Sequence, residues 1–191
     1  MAVTTEMVKE LRARTGAGIM DCRRALEETG GDLDAATGVL RAKGLAAVAK
    51  RAGRTTSEGV IETYVHAGSR LGAMVELNCE TDFVARTDEF RAMARELAMQ
   101  VAAASPRFVS KEEVASDLVA ERRAAIAGES PGISDAELDR HVGQWLEEVV
   151  LLEQPYIRDA GRRVRDLITD AAARVGEKIA VRRFARFKLG E

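Results

Sequence analysis

Few residues in this sequence could carry catalytic or metal chemistry. The two histidines, His66 and His141, are too few to build a typical zinc site, and the two cysteines, Cys22 and Cys79, form no CxxC pair. The motifs GxxxxGK[ST], GxGxxG, GxSxG and HExxH do not occur. The many carboxylates are typical of solvated helix faces. The sequence therefore indicates no catalytic residue, no metal site and no cofactor.

One segment, residues 76–84, has a composition suited to recognition of a partner. It reads Glu-Leu-Asn-Cys-Glu-Thr-Asp-Phe-Val, so that a strand ending in polar residues is followed by Thr81-Asp82, a natural turn or helix cap. Phe83 and Val84 come directly after it. Either Phe83 packs under the next helix as a hydrophobic staple, or the turn displays it beside Asp82 as an aromatic anchor for a pocket on a partner.

Residues 58–104 predict the elements that position this segment. The run GVIETYVH at 59–66 predicts a strand, Ala67-Gly68-Ser69 a turn, and LGAMVELNC at 71–79 a return strand. One face of the return strand carries Ala73, Val75, Leu77 and Cys79. A long amphipathic helix is predicted over 88–104, ended by Pro106. Its apolar stripe consists of Phe90, Met93, Ala94, Leu97 and Val101.

The first 45 residues predict a bundle of three short helices. Thr4 or Thr5 is expected to cap the first helix and Asp32 the third. Glycines at 16–18 and 30–31 separate the helices, and Gly44 is expected to end the third one. Residues 46–57 are small and basic, then polar, and predict a short helical tail followed by a linker.

Residues 110–175 predict further helices. Ser110–Glu113 and Ser134–Glu137 match the capping box and are expected to start two helices, joined by a loop over 128–134. A third helix is expected from Pro155 to Val175. The last segment, KIAVRRFARFKLG, alternates and predicts a strand that completes a sheet with the hairpin. The fold class is therefore α+β, with three mostly antiparallel strands packed by helices on one face.

Composition and charge exclude several classes of protein. No run approaches the roughly 18 apolar residues of a membrane-spanning helix, and the N-terminus MAVTTEMVKELR lacks the apolar core of a secretory signal. A cytoplasmic protein is expected. The chain has 29 basic and 31 acidic residues, but residues 58–154 hold nine basic and nineteen acidic ones. The excess of acidic residues in this middle segment disfavours a nucleic-acid groove along the chain and suits a protein partner.

Four stretches point to one family. VKELRARTGAGIMDCRRAL at 8–26 resembles the N-terminal module of the bacterial translation elongation factor Ts family. VELNCETDFVAR at 75–86 resembles the core signature of that family, while EEVVLLEQPYIRD and AVRRFARFKLG resemble its C-terminal part. The matches span nearly the whole chain in the right order.

The resemblance implies a function in translation elongation. Members of the family are guanine-nucleotide exchange factors, without catalytic chemistry, for elongation factor Tu, the GTPase that delivers aminoacyl-tRNA. They bind Tu carrying GDP, promote release of GDP, and leave when GTP enters. In the family a Thr-Asp-Phe-Val motif inserts between helices of Tu and disturbs its magnesium site. That motif maps onto Thr81, Asp82, Phe83 and Val84.

The resemblance also implies the roles of the domains. Residues 1–45 correspond to a three-helix, UBA-like module that contacts the nucleotide domain of Tu, 46–57 to a linker, and 58–191 to the α+β core that dimerises. The expected contacts in the module are Val8, Leu11, Ile19, Met20 and Asp21. Ile19 replaces the first methionine of the family's Met-Met-Asp turn.

Chain length bears on the oligomeric state. Long members of the family carry two core subdomains, whereas this chain has one hairpin-plus-strand set and resembles the short form, which implies a homodimer that binds two Tu molecules. Short-form relatives can carry a cysteine within RRFCRF that bridges the subunits. This chain has Ala185 at that position, so dimerisation would rest on noncovalent contacts, with Phe184 or Phe187 as the candidates.

Two other classes of function compete with this interpretation. The basic ends of the chain suggest a small RNA-binding module, which would predict salt-dependent retention of nucleic acid. Clustered carboxylates could serve an enzyme, although no motif supports one. Under the exchange-factor interpretation, we expect neither direct nucleic-acid binding nor a membrane partner.

Overall fold

The structure is a computed structural model that describes residues 3–191. Two compact units are present. The helical unit comprises the residues up to Thr55 together with Ile168–Ile179, and the sheet unit comprises Thr56–Leu167 and Ala180–Glu191. The helices are α1 (Thr5–Thr15), α2 (Ile19–Glu28), α3 (Leu33–Arg51), α4 (Asp82–Ala85), α5 (Asp88–Ala104), α6 (Ser116–Glu129), α7 (Asp135–Val149) and α8 (Val164–Val175). The strands are β1 (Glu58–Val65), β2 (Leu71–Cys79), β3 (Pro155–Tyr156), β4 (Asp159–Arg163) and β5 (Ala180–Lys188).

The helical unit begins with the three predicted helices. The Thr4 side chain accepts a hydrogen bond from the Met7 N–H and caps α1, and the Asp32 carboxylate caps α3. Gly16 ends α1 in the left-handed conformation, with φ of +69°, where a glycine costs least. The small core of the three helices consists of Leu11, Cys22, Ala25, Leu26 and Ala36.

The expected end of the third helix at Gly44 is wrong, because α3 continues to Arg51. Residues 45–49 are Leu, Ala, Ala, Val and Ala, and their helix propensity outweighs the roughly 1 kcal/mol that one interior glycine costs. Gly44 also serves packing, since a Cβ atom there would lie 3.0 Å from the Cβ of Ala173 on α8.

One segment near the C-terminus packs with the helical unit. Ile168–Ile179 group with the helical unit, although the sequence-based division placed them in the range 58–191. The functional division into 1–45, 46–57 and 58–191 stays a prediction.

The sheet unit contains the predicted three-stranded antiparallel sheet, with strand order β1-β2-β5. Its central strand alternates as expected. The inward residues of β2, which are Ala73, Val75, Leu77 and Cys79, are all buried. The fold class α+β is therefore confirmed.

Helix α5 covers the inner face of this sheet and has the predicted bounds. It contacts all three strands. The predicted stripe is buried in full, from Phe90 near its start to Val101 near its end. Burial of apolar surface between α5 and the sheet stabilises the unit.

Only one of the two predicted capping boxes starts an α-helix. Ser134 and Glu137 form a reciprocal box at the start of α7. The prediction at Ser110 is wrong, because Lys111–Glu113 is a single 3-10 turn and α6 begins only at Ser116. The Glu113 carboxylate there accepts its hydrogen bond from the Val109 N–H, at 2.8 Å, instead of closing a box on Ser110.

The helix expected from Pro155 to Val175 is also partly wrong. Residues Pro155–Arg163 form the two-stranded hairpin of β3 and β4, and α8 begins at Val164. The cause is tertiary: the buried Gln100 on α5 accepts a hydrogen bond from the Ile157 N–H and donates one to the Pro155 carbonyl. The second of these bonds occupies the Pro155 carbonyl, which a helix starting there would have needed as an acceptor.

A buried carboxylate ties the hairpin to its surroundings. Glu153, at the end of the 3-10 helix Leu151–Glu153, is almost fully buried. It pairs with Arg163 at 2.8 Å, Arg165 at 2.9 Å and Lys111 at 3.2 Å. A buried charge is tolerated only with such partners, so this network fixes how the segments meet.

The packing of α5 on the sheet predicts a stability effect. Leu97 is fully buried, and we expect Leu97→Ala to lower the free energy of unfolding of the sheet unit by about 2–5 kcal/mol, because it leaves a cavity. Urea denaturation followed by fluorescence of Trp145, the single tryptophan, would report on this unit. The matched control is Leu189→Ala at an exposed site, for which we expect less than about 0.5 kcal/mol. Equal losses in both variants would contradict this packing.

Candidate functional site

The segment singled out in the sequence forms a tight turn between β2 and α5. Strand β2 ends at the buried Cys79, and the one-turn helix α4 follows. Thr81 is the N-cap of α4, and its hydroxyl accepts a hydrogen bond from the Val84 N–H at 3.4 Å. The Cys79 thiol donates a hydrogen bond to the Thr81 carbonyl at 3.2 Å. The turn is therefore held at its start by the last residue of the central strand.

Helix α4 has one buried side and one exposed side. Val84 and Ala85 are buried, and α4 packs against β1, β2 and α5. Successive residues of a helix are rotated by about 100°, so burying these two directs Phe83 outward. Phe83 is 78% exposed, the largest exposed fraction among the large apolar side chains of residues 3–191. The alternative in which Phe83 packs under the following helix is wrong.

The carboxylate beside Phe83 is also oriented. Asp82 pairs with Arg86, four residues later, at 2.9 Å, and both side chains are largely exposed. Such surface pairs add little stability. Their effect here is geometric, because the pair keeps the Asp82 carboxylate on the exposed side of the turn that carries Phe83.

The Thr87 side chain forms hydrogen bonds to both the turn and α5. The Thr87 hydroxyl donates a hydrogen bond to the Val84 carbonyl at 2.8 Å and accepts one from the Phe90 N–H at 3.3 Å. It thus ends α4 and caps α5 at once.

The five residues predicted in the N-terminal module differ in accessibility. Ile19 and Met20, at the start of α2, are 56% and 63% exposed. Asp21 is exposed and pairs with Arg24. Val8 is half-buried against the core, and Leu11 is fully buried within it. Ile19, Met20 and Asp21 therefore offer surface to a partner, whereas Leu11 holds α1 in the bundle.

A second exposed apolar surface lies on the sheet. We call it the outer sheet face: residues of the three strands that point away from α5, namely Ile61, Thr63, Val65, Met74, Ala185 and Phe187. Phe187 is 74% exposed. Phe184, the other aromatic considered for dimerisation, is paired with the buried Val75 and points to the inner side. Strand alternation in residues 59–74 could have revealed this face, but sequence reasoning followed only the buried one.

One ion pair interrupts the outer sheet face. The Glu76 carboxylate accepts a hydrogen bond from the Arg183 guanidinium at 2.6 Å. This bond lowers the pKa of Glu76 below its ordinary value, so the pair stays charged at neutral pH.

Metal-binding clusters and membrane-spanning helices are absent from residues 3–191. No group of three or more histidine, cysteine, aspartate or glutamate side chains within residues 3–191 could hold a metal ion. None of the helices in the described part of the chain is long and apolar enough to cross a bilayer.

Comparison with known proteins assigns the chain to a family. The family model described as elongation factor TS matches residues 45–191. A protein named elongation factor Ts from Carboxydothermus hydrogenoformans is 49% identical over 99% of this chain and 90% of its own length. Those from Desulforamulus reducens and Caldanaerobacter subterraneus are each 47% identical over 99% of this chain, and cover 90% and 98% of their own lengths.

Because this identity extends over nearly the full length, the similarity is not limited to single motifs. The chain therefore belongs to the elongation factor Ts family of translation elongation factors.

Proposed function

We propose that this protein is the guanine-nucleotide exchange factor of elongation factor Tu in the cytoplasm. It binds Tu carrying GDP, promotes release of GDP and stays bound until GTP enters. The observation that carries this proposal is the exposed Phe83, fixed on a one-turn helix beside the oriented carboxylate of Asp82. It coincides with the Thr-Asp-Phe-Val motif that the family inserts into Tu. The protein does no covalent chemistry and needs no cofactor.

The free energy that drives exchange comes from burial of the exposed phenyl ring of Phe83. Moving Phe83 from water into a pocket between two helices of Tu is worth about 1.5–3 kcal/mol. That gain can offset the displacement of those helices. The magnesium ion is held by few protein ligands together with phosphate oxygens in near-ideal octahedral geometry, so a small displacement of its ligands weakens it. Loss of the magnesium ion then loosens GDP.

The binding of GDP and the binding of this protein to Tu affect each other equally. If this protein weakens the binding of GDP to Tu by a given factor, GDP weakens the binding of this protein by the same factor. The complex of Tu, GDP and this protein is therefore short-lived, because either GDP or this protein dissociates from it readily. Entry of GTP then releases this protein from Tu.

The remaining predicted contacts divide between anchoring and support. In the module of residues 1–45, Ile19, Met20 and Asp21 lie on the surface and are proposed to contact the nucleotide domain of Tu. Val8 is half-buried against the core and the buried Leu11 lies within it, so both are proposed to act by holding α1 in place. Residues 46–57 link this module to the core of residues 58–191, which carries Thr81, Asp82, Phe83 and Val84.

We further propose that two copies associate through the outer sheet face. The short form of the family supplies with two chains what a long member supplies with one. Contiguous exposed apolar surface of this kind marks an interaction site. The face carries Ile61, Val65, Met74 and Phe187, and position 185 is alanine, so no disulfide at that site can replace these contacts.

Phe83→Ala tests the exchange mechanism. We expect it to reduce the maximal rate of labelled-GDP release from Tu by about tenfold to a hundredfold, because the buried ring supplies the energy. Stopped-flow fluorescence at saturating exchange factor would measure it. The fold should survive, because Phe83 contributes almost nothing to the core. Ile157→Ala, which shortens another exposed apolar side chain, is the control and should leave the rate unchanged. Unaltered release with Phe83→Ala would refute the mechanism.

Met20→Ala tests the N-terminal contact separately. Loss of an exposed methionine that becomes buried in the complex should raise the concentration for half-maximal exchange by about tenfold, with the maximal rate unchanged. Titration of exchange factor against a fixed amount of Tu would separate the two parameters. Leu45→Ala, on the exposed side of α3, is the matched control. A lower maximal rate at unchanged half-saturation would contradict an anchoring role.

Phe187→Asp tests the homodimer. Sedimentation equilibrium at micromolar concentration should give twice the chain mass for the wild type and the chain mass for Phe187→Asp, because a carboxylate in an apolar interface is not solvated. Phe83→Ala should remain dimeric. A wild-type monomer, or a variant that stays dimeric, would contradict dimerisation through this face.

A further inference from the structure

The Thr87 side chain occupies a junction that the exchange mechanism above does not use. Its hydroxyl donates to the Val84 carbonyl at 2.8 Å, and its own N–H donates to the same carbonyl at 3.1 Å. The hydroxyl also accepts from the Phe90 N–H at 3.3 Å. One hydroxyl group therefore connects the residue after Phe83 to the first turn of α5.

The two ends of this connection differ in how firmly they are held. Phe90 is buried in the contact between α5 and the sheet. Helix α4 has only four residues, and a single helical turn is not stable by itself. The orientation of α4, and with it the direction of Phe83, therefore depends on the burial of Val84 and Ala85 together with the hydrogen bonds of Thr87.

We propose that Thr87 is a positioning residue for exchange, which holds the Phe83 turn rigid by anchoring it to α5. This inference rests on the proposed function of Phe83. Phe83 must displace helices in the partner. If the turn that carries it is flexible, part of the binding energy of Phe83 is used to order the turn, and less remains to displace the helices. Thr87 acts through Phe83 and touches neither nucleotide nor magnesium.

Thr87→Val and Thr87→Ser form the test pair. Valine keeps the branched shape and removes both side-chain hydrogen bonds, and we expect the maximal rate of GDP release from Tu to fall about fivefold to thirtyfold. Serine keeps the hydroxyl and should restore the rate to within about twofold of wild type. Trp145 fluorescence would confirm that each variant is folded. If valine leaves the rate unchanged, or serine fails to restore it, the proposal is overturned.

A matched control separates positioning from a general loss of stability. Ser134→Ala removes the cap of α7, in the same unit but on another helix. It should lower the free energy of unfolding as Thr87→Val does and leave GDP release unchanged. A parallel loss of exchange in Ser134→Ala would overturn the proposal, since stability alone would then explain the effect.

A double-mutant cycle with Phe83→Ala completes the test. If Thr87 acts through the phenyl ring, Thr87→Val should cause no additional loss once Phe83 is alanine. An equal loss in both backgrounds overturns the positioning role and leaves the proposed function intact. If Phe83→Ala alone does not slow release, the proposed function fails and this inference fails with it.

Discussion

The packing of α5 on the inner face of the three-stranded sheet is the contact on which the site depends. Phe90, Leu97 and Val101 on the helix and the inward residues of β2 are buried, and together they form the core between the helix and the sheet. Because both elements are fixed, the short connection between them has little freedom. Val84 and Ala85 are drawn into the core, and Phe83 on the opposite side is left in solvent. An exposed phenyl ring on a fixed turn is thus a direct consequence of this core.

The exposed apolar residues fall into separate surfaces with different proposed tasks. Phe83 stands alone on its turn, Ile19 and Met20 lie together at the start of α2, and the outer sheet face spans three strands. Exposed apolar surfaces of this kind are what the proposed function requires, since an exchange factor acts by binding its partner.

Sequence reasoning succeeded where local pattern and tertiary packing agree. The hairpin, the helix over 88–104 and the cap at Ser134 followed from alternation, periodicity and capping chemistry. It failed at Pro155–Arg163, where the buried Gln100 forms hydrogen bonds with the backbone. It also failed at Gly44, because the alanine-rich segment after it continues the helix. The motif around Phe83 could be named from the sequence. The sequence could not show whether the Phe83 side chain is buried, because packing under the next helix and display to a partner are both compatible with the same residues.

We propose that this protein accelerates exchange because it binds Tu better without GDP than with it. Isothermal titration of the protein against nucleotide-free Tu and against Tu–GDP, beside the rate of labelled-GDP release with and without the protein, tests this most directly. We expect faster release of GDP, and binding to Tu–GDP that is weaker than binding to nucleotide-free Tu by the same factor by which the protein lowers the affinity of Tu for GDP. Equal affinity for both forms of Tu, with release of GDP unchanged, would contradict it.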